Sequence, residues 1–348
     1  MNRISPWWDR ARHADRKPFL EARRTVTKAL RAWFDAQGFV EVETGVLQVS
    51  PGNETHLHAL GTTLTMPAGD RVTRHLRTSP EFACKKLLAA GEQKIVEFAR
   101  VFRDRERGVL HLPEFTMLEW YRAGSSYDAV MADSISVIAI AAQATGIPRF
   151  SFRGRQADPF VEPERLTVAA AFDRYAGIDL LNTVVGREGD RPALAAAARG
   201  RRVRIADDDN WSDIFSKVLV EHIEPQLGQG RLTVLFEYPA PEAALARVSP
   251  SDSRVAERFE IYACGVELAN GFGELTDAAE QRIRFVRAMN DKQSRYGERY
   301  PLDEDFLAAV AKMPEAGGVA LGLDRLVMLA SGASRIDQVV WAPPAEDA

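Results

Sequence analysis

Apolar and polar residues follow two different periods along the chain, which predicts a mixture of helices and strands. Apolar residues at helical spacing predict helices over residues 17–37, 79–91, 128–145, 167–175, 213–222, 277–289 and 304–313. Alternating or continuous apolar runs predict strands over residues 39–43, 95–103, 114–121, 232–238, 258–263 and 266–274. A last strand, GGVALGLD, leads directly into a final helix, DRLVMLAS.

The order of these elements favours an α+β fold with an antiparallel sheet flanked by helices. Several strands follow one another as hairpins, and the connections lack the regular βαβ alternation of a parallel sheet. Neither a GxGxxG nor a GxxxxGK[ST] sequence occurs, which excludes the usual dinucleotide and P-loop sites. If the protein binds a nucleotide, it does so by another route.

Composition places the chain among ordinary globular proteins. Of 348 residues, 46% are apolar and 27% are charged, and no run approaches the ~18 consecutive apolar residues of a membrane helix. The N-terminal segment lacks the apolar region of a secretory signal, so we expect a cytoplasmic protein without a membrane partner. Two cysteines, Cys84 and Cys264, exclude a disulfide framework and a cysteine-based zinc site.

Charge is unevenly distributed along the chain. The net charge of −4 argues against a general nucleic-acid binder. Residues 1–31 nevertheless contain nine Lys/Arg against three Asp/Glu. This basic segment is either a solvated helix face or a docking surface for an acidic partner or RNA.

Two strands carry carboxylates on the same face as aromatic residues. In EFTMLEWY, the alternation of side chains along a strand places Phe115, Met117, Glu119 and Tyr121 on one face. The alternative is a half-exposed strand in which Glu119 lies in water. In ELANGFGEL, the residues on one face are Asn270, Phe272 and Glu274. Two carboxylates facing each other across a cleft repel unless a cation lies between them. A ligand ammonium would be such a cation, and this arrangement predicts a pocket for a lysine-like side chain.

A second pair of carboxylates, Glu260 and Glu267, lies on the two strands of one hairpin. Such pairs commonly hold Mg²⁺ together with substrate phosphates. Because Glu267 is out of phase with Asn270, it reaches the same cleft only if a β-bulge intervenes, and we expect one near residues 269–271. Arg103 and Arg325 are candidates for binding phosphate or carboxylate groups, although each alone is also typical of a surface ion pair.

Long segments of the chain resemble the catalytic core of class II lysyl-tRNA synthetases. The strongest matches are SPEFACKKLLAAG, VFRDRERGVLHLPEFTMLEWYR, RVAERFEIYACGVELANGFGELTDAAEQRIRF and GVALGLDRLVML, and the resemblance extends roughly from Phe19 to Val340. The chain is most similar to the free-standing members of this family, which attach lysine or (R)-β-lysine to translation elongation factor P. Full lysyl-tRNA synthetases carry an N-terminal anticodon-binding domain, for which no room precedes the first motif helix.

The resemblance implies a role for each candidate residue in using ATP and Mg²⁺. Arg103 would bind the α-phosphate and the substrate carboxylate, while Phe115 and Arg325 would hold the adenine between them, with Arg325 also on the γ-phosphate. Glu260 and Glu267 would hold Mg²⁺, and Glu81 would bind the backbone amine of the substrate. Glu119, Tyr121 and Glu274 would hold the distal ammonium. The remaining expected contacts are Asp104, Arg105, His111 and Gly322 with ATP, and Ser79, Asn270, Phe272 and Ala320 with the amino acid.

We therefore expect a basic extension over residues 1–17 and one catalytic domain over residues 18–345 that forms a homodimer and does not bind tRNA specifically. Departures from the family pattern are Gly45 in place of proline, Arg105 in place of glutamate, and Leu112 in place of asparagine. Ala320 stands where lysyl-tRNA synthetases usually have glycine, which suits β-lysine. Two alternatives remain, a truncated lysyl-tRNA synthetase that charges tRNA and a degenerate, regulatory binding protein.

Overall fold

The computed structural model describes residues 6–344, and the expectations for residues 1–5 and 345 lie outside this range. The helices are α1 (Arg10–Ala36), α2 (Glu81–Ala89), α3 (Tyr127–Thr145), α4 (Val168–Ala171), α5 (Arg191–Arg199), α6 (Trp211–Val218), α7 (Ala278–Tyr296), α8 (Glu304–Val310) and α9 (Leu323–Ser331). The strands of the first half are β1 (Val40–Glu41), β2 (Leu47–Gln48), β3 (Gly61–Thr65), β4 (Arg71–Leu76), β5 (Lys94–Phe102), β6 (Glu114–Ala123), β7 (Phe150–Phe152) and β8 (Arg155–Asp158). Those of the second half are β9 (Glu164–Thr167), β10 (Val184–Val185), β11 (Glu188–Gly189), β12 (Gly230–Arg231), β13 (Thr233–Pro239), β14 (Val255–Ala263), β15 (Val266–Gly273) and β16 (Ala316–Gly322).

An eight-stranded sheet forms the centre of the molecule, in the order β1-β5-β6-β16-β15-β14-β13-β9. Its six central strands pair antiparallel, and the short edge strands β1 and β9 pair parallel to β5 and β13. This arrangement confirms the predicted α+β fold with an antiparallel sheet.

One face of the sheet is covered by α1, α3 and α9. Leu118 and Trp120 of β6 and Val319 of β16 point to this side and lie in the main hydrophobic core with apolar residues of the three helices. Because side chains alternate along a strand, the residues between them, Met117 and Glu119, point to the other face. The helical layer therefore leaves the opposite face of the sheet available for a site.

The apolar helix α3 is explained by this packing. Within residues 6–344, α3 is the one helix long and apolar enough to cross a membrane by length and composition alone. Val130, Val137 and Ile138 of α3 are buried in the main core, and Asp133 of the same helix forms an ion pair with Arg122 of β6, with an Nε–Oδ2 distance of 2.6 Å.

The first helix begins earlier than the sequence pattern predicted. Asp9 caps it, since its carboxylate accepts hydrogen bonds from the backbone N–H groups of Ala11 and Arg12, and the helix continues through Pro18. The predicted boundary between residues 17 and 18 therefore falls inside α1. The excess of basic residues here also has a partly structural role, because Arg16 and Arg23 are buried against the rest of the chain.

Several short elements differ from the predictions. The strand expected over residues 39–43 pairs only at Val40 and Glu41. The hairpin of β3 and β4 was missed, although its turn at Gly69 lies between two runs that contain threonine. The helices expected over residues 167–175 and 213–222 are α4 and α6, each extended by a π-helical turn.

A buried ion pair connects the helical layer to the sheet. Arg23 of α1 donates from Nη1 to Oδ1 of Asp324 at 2.5 Å and from Nη2 to Oγ1 of Thr116 at 2.8 Å. The second carboxylate oxygen of Asp324 accepts the backbone N–H of Thr116 at 3.1 Å, and Nη1 of Arg23 also donates to the carbonyl oxygen of Val339. This network joins α1, β6, α9 and the C-terminal segment.

We predict that Arg23→Ala lowers the free energy of unfolding by about 3–5 kcal/mol, because it leaves the Asp324 carboxylate buried without its partner. Urea unfolding measures this loss. The neighbouring Arg24→Ala is the matched control, since Arg24 forms an exposed ion pair with Glu21 and its loss should be barely measurable. Equal effects of the two substitutions would contradict the structural role of Arg23.

Candidate active site

The register of the central strands brings several predicted site residues into two rows across the face of the sheet opposite α1, α3 and α9. Directly paired residues in the first row are Glu119, Ala320, Asn270 and Glu260. The second row contains Tyr121, Gly318, Phe272 and Arg258. Because paired residues on one face lie about 5 Å apart, the rows place side chains from four strands side by side.

A cavity of about 320 Å³ opens over these rows. Among the residues singled out from the sequence, those that line it are Ser79, Glu81, Arg103, His111, Phe115, Glu260, Glu267, Asn270, Phe272, Ala320, Gly322 and Arg325. Glu119, Tyr121 and Glu274 are buried next to this lining, where Glu119 contacts Ser79. Further lining residues that sequence reasoning did not assign include Glu54, Glu106, Arg258 and Asp324.

The predicted β-bulge is present, one residue before the expected segment. The pairing of β14 with β15 shifts between Ile261 and Tyr262, so that Tyr262 pairs with Glu267, Ile261 pairs with Ala269, and Leu268 is the additional residue. The extra residue reverses the alternation of side chains. As a result, Glu267 and Asn270 both line the cavity despite their sequence spacing.

One end of the cavity combines cationic and aromatic groups. The Arg103 guanidinium lies 5.3 Å from the centre of the Phe115 ring. Arg325 reaches Nε2 of His111 at 2.6 Å and the backbone carbonyl of Glu267 at 3.0 Å. Burial and the neighbouring Arg325 lower the pKa of His111. Because a guanidinium can only donate, Nε2 of His111 is the acceptor in this contact. This end is suited to a ligand with negative charge and a flat ring.

The loop between β5 and β6 turns two of the expected ligand contacts away from the cavity. Arg105 has a left-handed backbone conformation, with φ +65°, and its guanidinium forms an ion pair with Glu298. Asp104 is exposed and pairs through its backbone with His58. Glu106, the next residue, lines the cavity, and its carboxylate lies 3.8 Å from the Arg103 guanidinium.

The carboxylate Glu119 is buried in the floor beside the cavity and is 1% exposed, which is contrary to a strand position in water. Ser79 donates a hydrogen bond of 2.8 Å to it, and the Tyr121 hydroxyl donates to its other oxygen. Burial, with the nearby Glu81 carboxylate, raises the pKa of Glu119 to about 8. Burial also raises the pKa of Tyr121, which keeps its phenol protonated and able to donate.

Sequence reasoning missed a cation beneath the cavity, Lys85 of α2. Its ammonium contacts Oε1 of Glu81 and Oε2 of Glu274, each at 2.5 Å, and the side chain is 1% exposed. The Glu81–Lys85 contact joins residues one helical turn apart and was visible in the sequence as an i, i+4 pair. The contact with Glu274 joins α2 to the end of β15, which no local pattern indicates.

The second carboxylate pair lies at the far side of the first row. Glu260 accepts hydrogen bonds from Arg258 at 2.8 Å and from the Tyr262 hydroxyl at 2.6 Å. Burial and then the proximity of Glu267 raise its pKa. Burial and the same two carboxylates raise the pKa of the nearby Glu224, which sequence reasoning missed, to about 7.

Glu260 and Glu267 could hold Mg²⁺ only if a bound substrate supplied the other ligands of the ion. Glu260 and Glu267 offer the oxygen donors that Mg²⁺ prefers and both line the cavity. No group of three or more His, Cys, Asp or Glu residues in the described range forms a complete metal cluster. A metal held here would therefore need oxygen ligands from a bound substrate.

These features are those of a class II aminoacyl-tRNA synthetase catalytic domain, with an antiparallel sheet that carries the site on the face opposite its main helical layer. In agreement, residues 5–345 match the family model for tRNA synthetases class II (D, K and N), and the chain belongs to this family.

Curated relatives define the branch of the family more narrowly. The chain is 38% identical over 329 residues to the elongation factor P–(R)-β-lysine ligase of Haemophilus influenzae (strain ATCC 51907 / DSM 11121 / KW20 / Rd), covering 94% of this chain and 95% of the relative. It is 37% identical over 349 residues to the protein of the same name from Proteus mirabilis (strain HI4320), covering 99% of each. A third such ligase, from Vibrio cholerae serotype O1, is 37% identical over 328 residues, with 93% of this chain and 94% of the relative covered.

Gly318 provides the space in which Tyr121 and Glu274 meet. A Cβ atom at this position would lie 2.2 Å from Oε1 of Glu274 and 2.4 Å from the Tyr121 ring. We predict that Gly318→Ala lowers the free energy of unfolding by about 1–3 kcal/mol, because the added methyl group overpacks a buried site. Urea unfolding tests this, with Gly45→Ala as the control, since no described atom lies within 4 Å of a Cβ there. A Gly318→Ala protein as stable as the control would contradict the close approach.

Proposed function

We propose that this protein activates (R)-β-lysine or lysine with ATP as an aminoacyl-adenylate and transfers the acyl group to the ε-amino group of a lysine on elongation factor P. The observation that carries the chemical part is the joining of a buried acidic pocket, formed by Glu119 and Glu274, to a cavity that ends in Arg103 and Arg325. The relatives of matching length support elongation factor P as the acceptor.

The acidic pocket would bind the amines of the substrate. Glu119, with Tyr121 beside it, and Glu274 would receive the distal ammonium, and Glu81 would receive the amine closer to the carboxylate. Asn270 and Phe272 line the path between the two ends, where an aliphatic stem would lie. Desolvated carboxylates suit this task because they gain more from an ammonium than exposed ones do.

The cationic end would bind ATP and the reacting carboxylate. Phe115 and Arg325 would hold the adenine, and Arg103 would contact both the α-phosphate and the substrate carboxylate. Because Glu106 lines the cavity while Asp104 and Arg105 do not, we assign the loop contact with ATP to Glu106. Mg²⁺ held by Glu260 and Glu267 with the phosphates would neutralise charge on the triphosphate.

The reaction would proceed in two transfers. In the first, a carboxylate oxygen of the amino acid bonds to the α-phosphorus and the bond to pyrophosphate breaks. In the second, the neutral ε-amine of the acceptor lysine bonds to the carbonyl carbon, AMP leaves with the bonding electrons, and the amine loses a proton. Arg103 would stabilise the charge that develops at the α-phosphate.

The proposal also includes the oligomeric state of the enzyme and its location in the cell. Val40, Leu47 and Val49 are large apolar residues exposed on and beside β1 and β2, and their exposure supports a homodimer formed through this region. An enzyme acting on a translation factor would work in the cytoplasm. The side chain of the acceptor lysine on elongation factor P would enter the cavity, which Glu54 also lines.

Intact-mass measurement of elongation factor P tests the proposal. Incubation with the protein, ATP, Mg²⁺ and (R)-β-lysine should add one aminoacyl group to the factor, and a factor whose acceptor lysine is replaced by arginine should gain none. No gain with either (R)-β-lysine or lysine would refute the proposal. Faster charging of lysine tRNA, followed on acid gels, would favour a truncated synthetase, and absence of lysine-dependent ATP–pyrophosphate exchange would favour a regulatory binding protein.

Proton release on binding should report the ionisation of Glu119. The pKa of this carboxyl is about 8 in the free protein, so it is largely protonated at neutral pH, whereas an ammonium beside it favours the ionised form. Lysine binding should therefore release protons at neutral pH, and this release should fall as the pH rises through about 8. Calorimetry in buffers of different ionisation enthalpy measures the number of protons released when lysine binds. The Glu119→Gln substitution should reduce this number. A proton count independent of pH would be evidence against this role.

A further inference from the structure

Four ionisable side chains share the buried floor next to the cavity. Glu119, Glu274 and Lys85 are each 1% exposed, and the Glu81 side chain is 13% exposed. Burial of this many charges is costly unless they compensate one another. The three carboxylates and one ammonium leave two negative charges when all four groups are ionised.

The contacts of Lys85 divide these carboxylates into two kinds. Lys85 contacts one oxygen of Glu81 and one oxygen of Glu274, whereas Glu119 is bonded by the hydroxyl groups of Ser79 and Tyr121. Among the described residues, neither carboxylate oxygen of Glu274 has a hydrogen-bond partner, although Oε2 forms the ion pair with Lys85 at 2.5 Å. The other oxygen, Oε1, lies over Gly318 and beside the Tyr121 ring.

Packing alone does not explain a lysine at this position. The neighbours of Lys85 on α2, Cys84 and Leu88, are buried in an apolar cluster that does not include Lys85, whose ammonium lies instead against the carboxylates of Glu81 and Glu274. Buried ion pairs add little stability compared with well-packed apolar residues. The charge of Lys85 therefore has a use other than holding α2 in place.

The remaining charge matches the proposed substrate. Lysine and β-lysine each carry two ammonium groups, and their single carboxylate would go to Arg103 at the other end of the cavity. An amino acid with one ammonium would leave one carboxylate of the pocket uncompensated or protonated.

Resting on the proposed function, we infer that Lys85 is a positioning and specificity-determining residue: its ammonium fixes Glu274 with Oε1 directed at the substrate and sets the pocket charge for a substrate with two ammonium groups. Without Lys85, the pocket would bury three carboxylates with no cation of its own. Glu274 would then take up a proton and lose its affinity for an ammonium at neutral pH.

Several charged and titratable groups act on Glu274 from the surrounding elements. Lys85 and Glu81 face it from α2, Glu119 and Tyr121 from β6, and Arg247 from the segment before β14. Burial raises the pKa of Glu274 to about 7, and Lys85 is the largest influence opposing that rise. Loss of the Lys85 charge therefore moves this pKa further upward.

Lys85→Met tests the inference, because methionine keeps the length of the side chain and removes its charge. The measurement is the KM for lysine in ATP–pyrophosphate exchange across neutral and mildly alkaline pH. We expect the KM to rise at least about tenfold, with a smaller change in kcat, and the pH at which binding becomes effective to move upward. Lys86→Met is the matched control, since Lys86 is next in the helix and neither it nor its partners Asp303 and Asp305 line the cavity.

Two further variants separate charge from packing. The double variant Lys85→Met with Glu274→Gln restores the two negative charges of the pocket. The pH dependence of its KM for lysine should therefore return towards that of the wild type, although the KM itself remains raised. Lys85→Arg keeps the charge and should keep the pH profile even if its size alters the KM, which tests the inference should Lys85→Met fail to fold.

The outcomes distinguish this inference from the proposed function. An unchanged KM and pH profile in Lys85→Met, or a raised KM with an unshifted profile, would overturn the role of Lys85 while the wild type remained active. A wild type without lysine- or β-lysine-dependent exchange would instead refute the proposed function. Calorimetric binding of lysine to the wild type and to Lys85→Met would then still test the inference, since the affinity should fall by about the same factor.

Discussion

Mutual repulsion between buried carboxylates is the constraint on which the site depends. Glu119 and Glu274 lie in the floor beneath the cavity, where water is scarce and like charges interact strongly. The structure satisfies this constraint in two ways, through the Lys85 ammonium beside Glu274 and through hydroxyl donors around Glu119. A preference for cationic groups of a ligand would follow from this arrangement, and the fold places Arg103 and Arg325 at the other end of the same cavity.

The sheet makes this arrangement possible because its two faces have separate tasks. One face is covered by α1, α3 and α9 and contains the main hydrophobic core. The other face presents rows of paired residues to the cavity. The Arg23–Asp324 ion pair connects the two sides, because Asp324 lines the cavity while Arg23 belongs to the helical layer. The geometry of the site therefore depends on packing behind the sheet.

Much of the fold and part of the site were predictable from local patterns. Alternation along β6 placed Glu119 and Tyr121 on the correct face, and parity within β15 did the same for Asn270 and Phe272. The failures have physical causes. Lys85 meets Glu274 through a contact between distant segments, which periodicity does not reveal. Arg105 turns outward because its backbone has a left-handed conformation, which residues other than glycine rarely adopt. The start of α1 depended on a cap at Asp9, eight residues before the apolar pattern became clear.

The extra residue at Leu268 affects how the two ends of the cavity are held in relation to each other. Because the bulge reverses the alternation once, a single strand displays Glu267 and Asn270 to the same cavity, with Glu274 just beyond its end. A strand advances only about 3.3 Å per residue and hardly stretches. The separation between the proposed metal-binding end and the proposed amine-binding end is thus set by one continuous piece of covalent backbone.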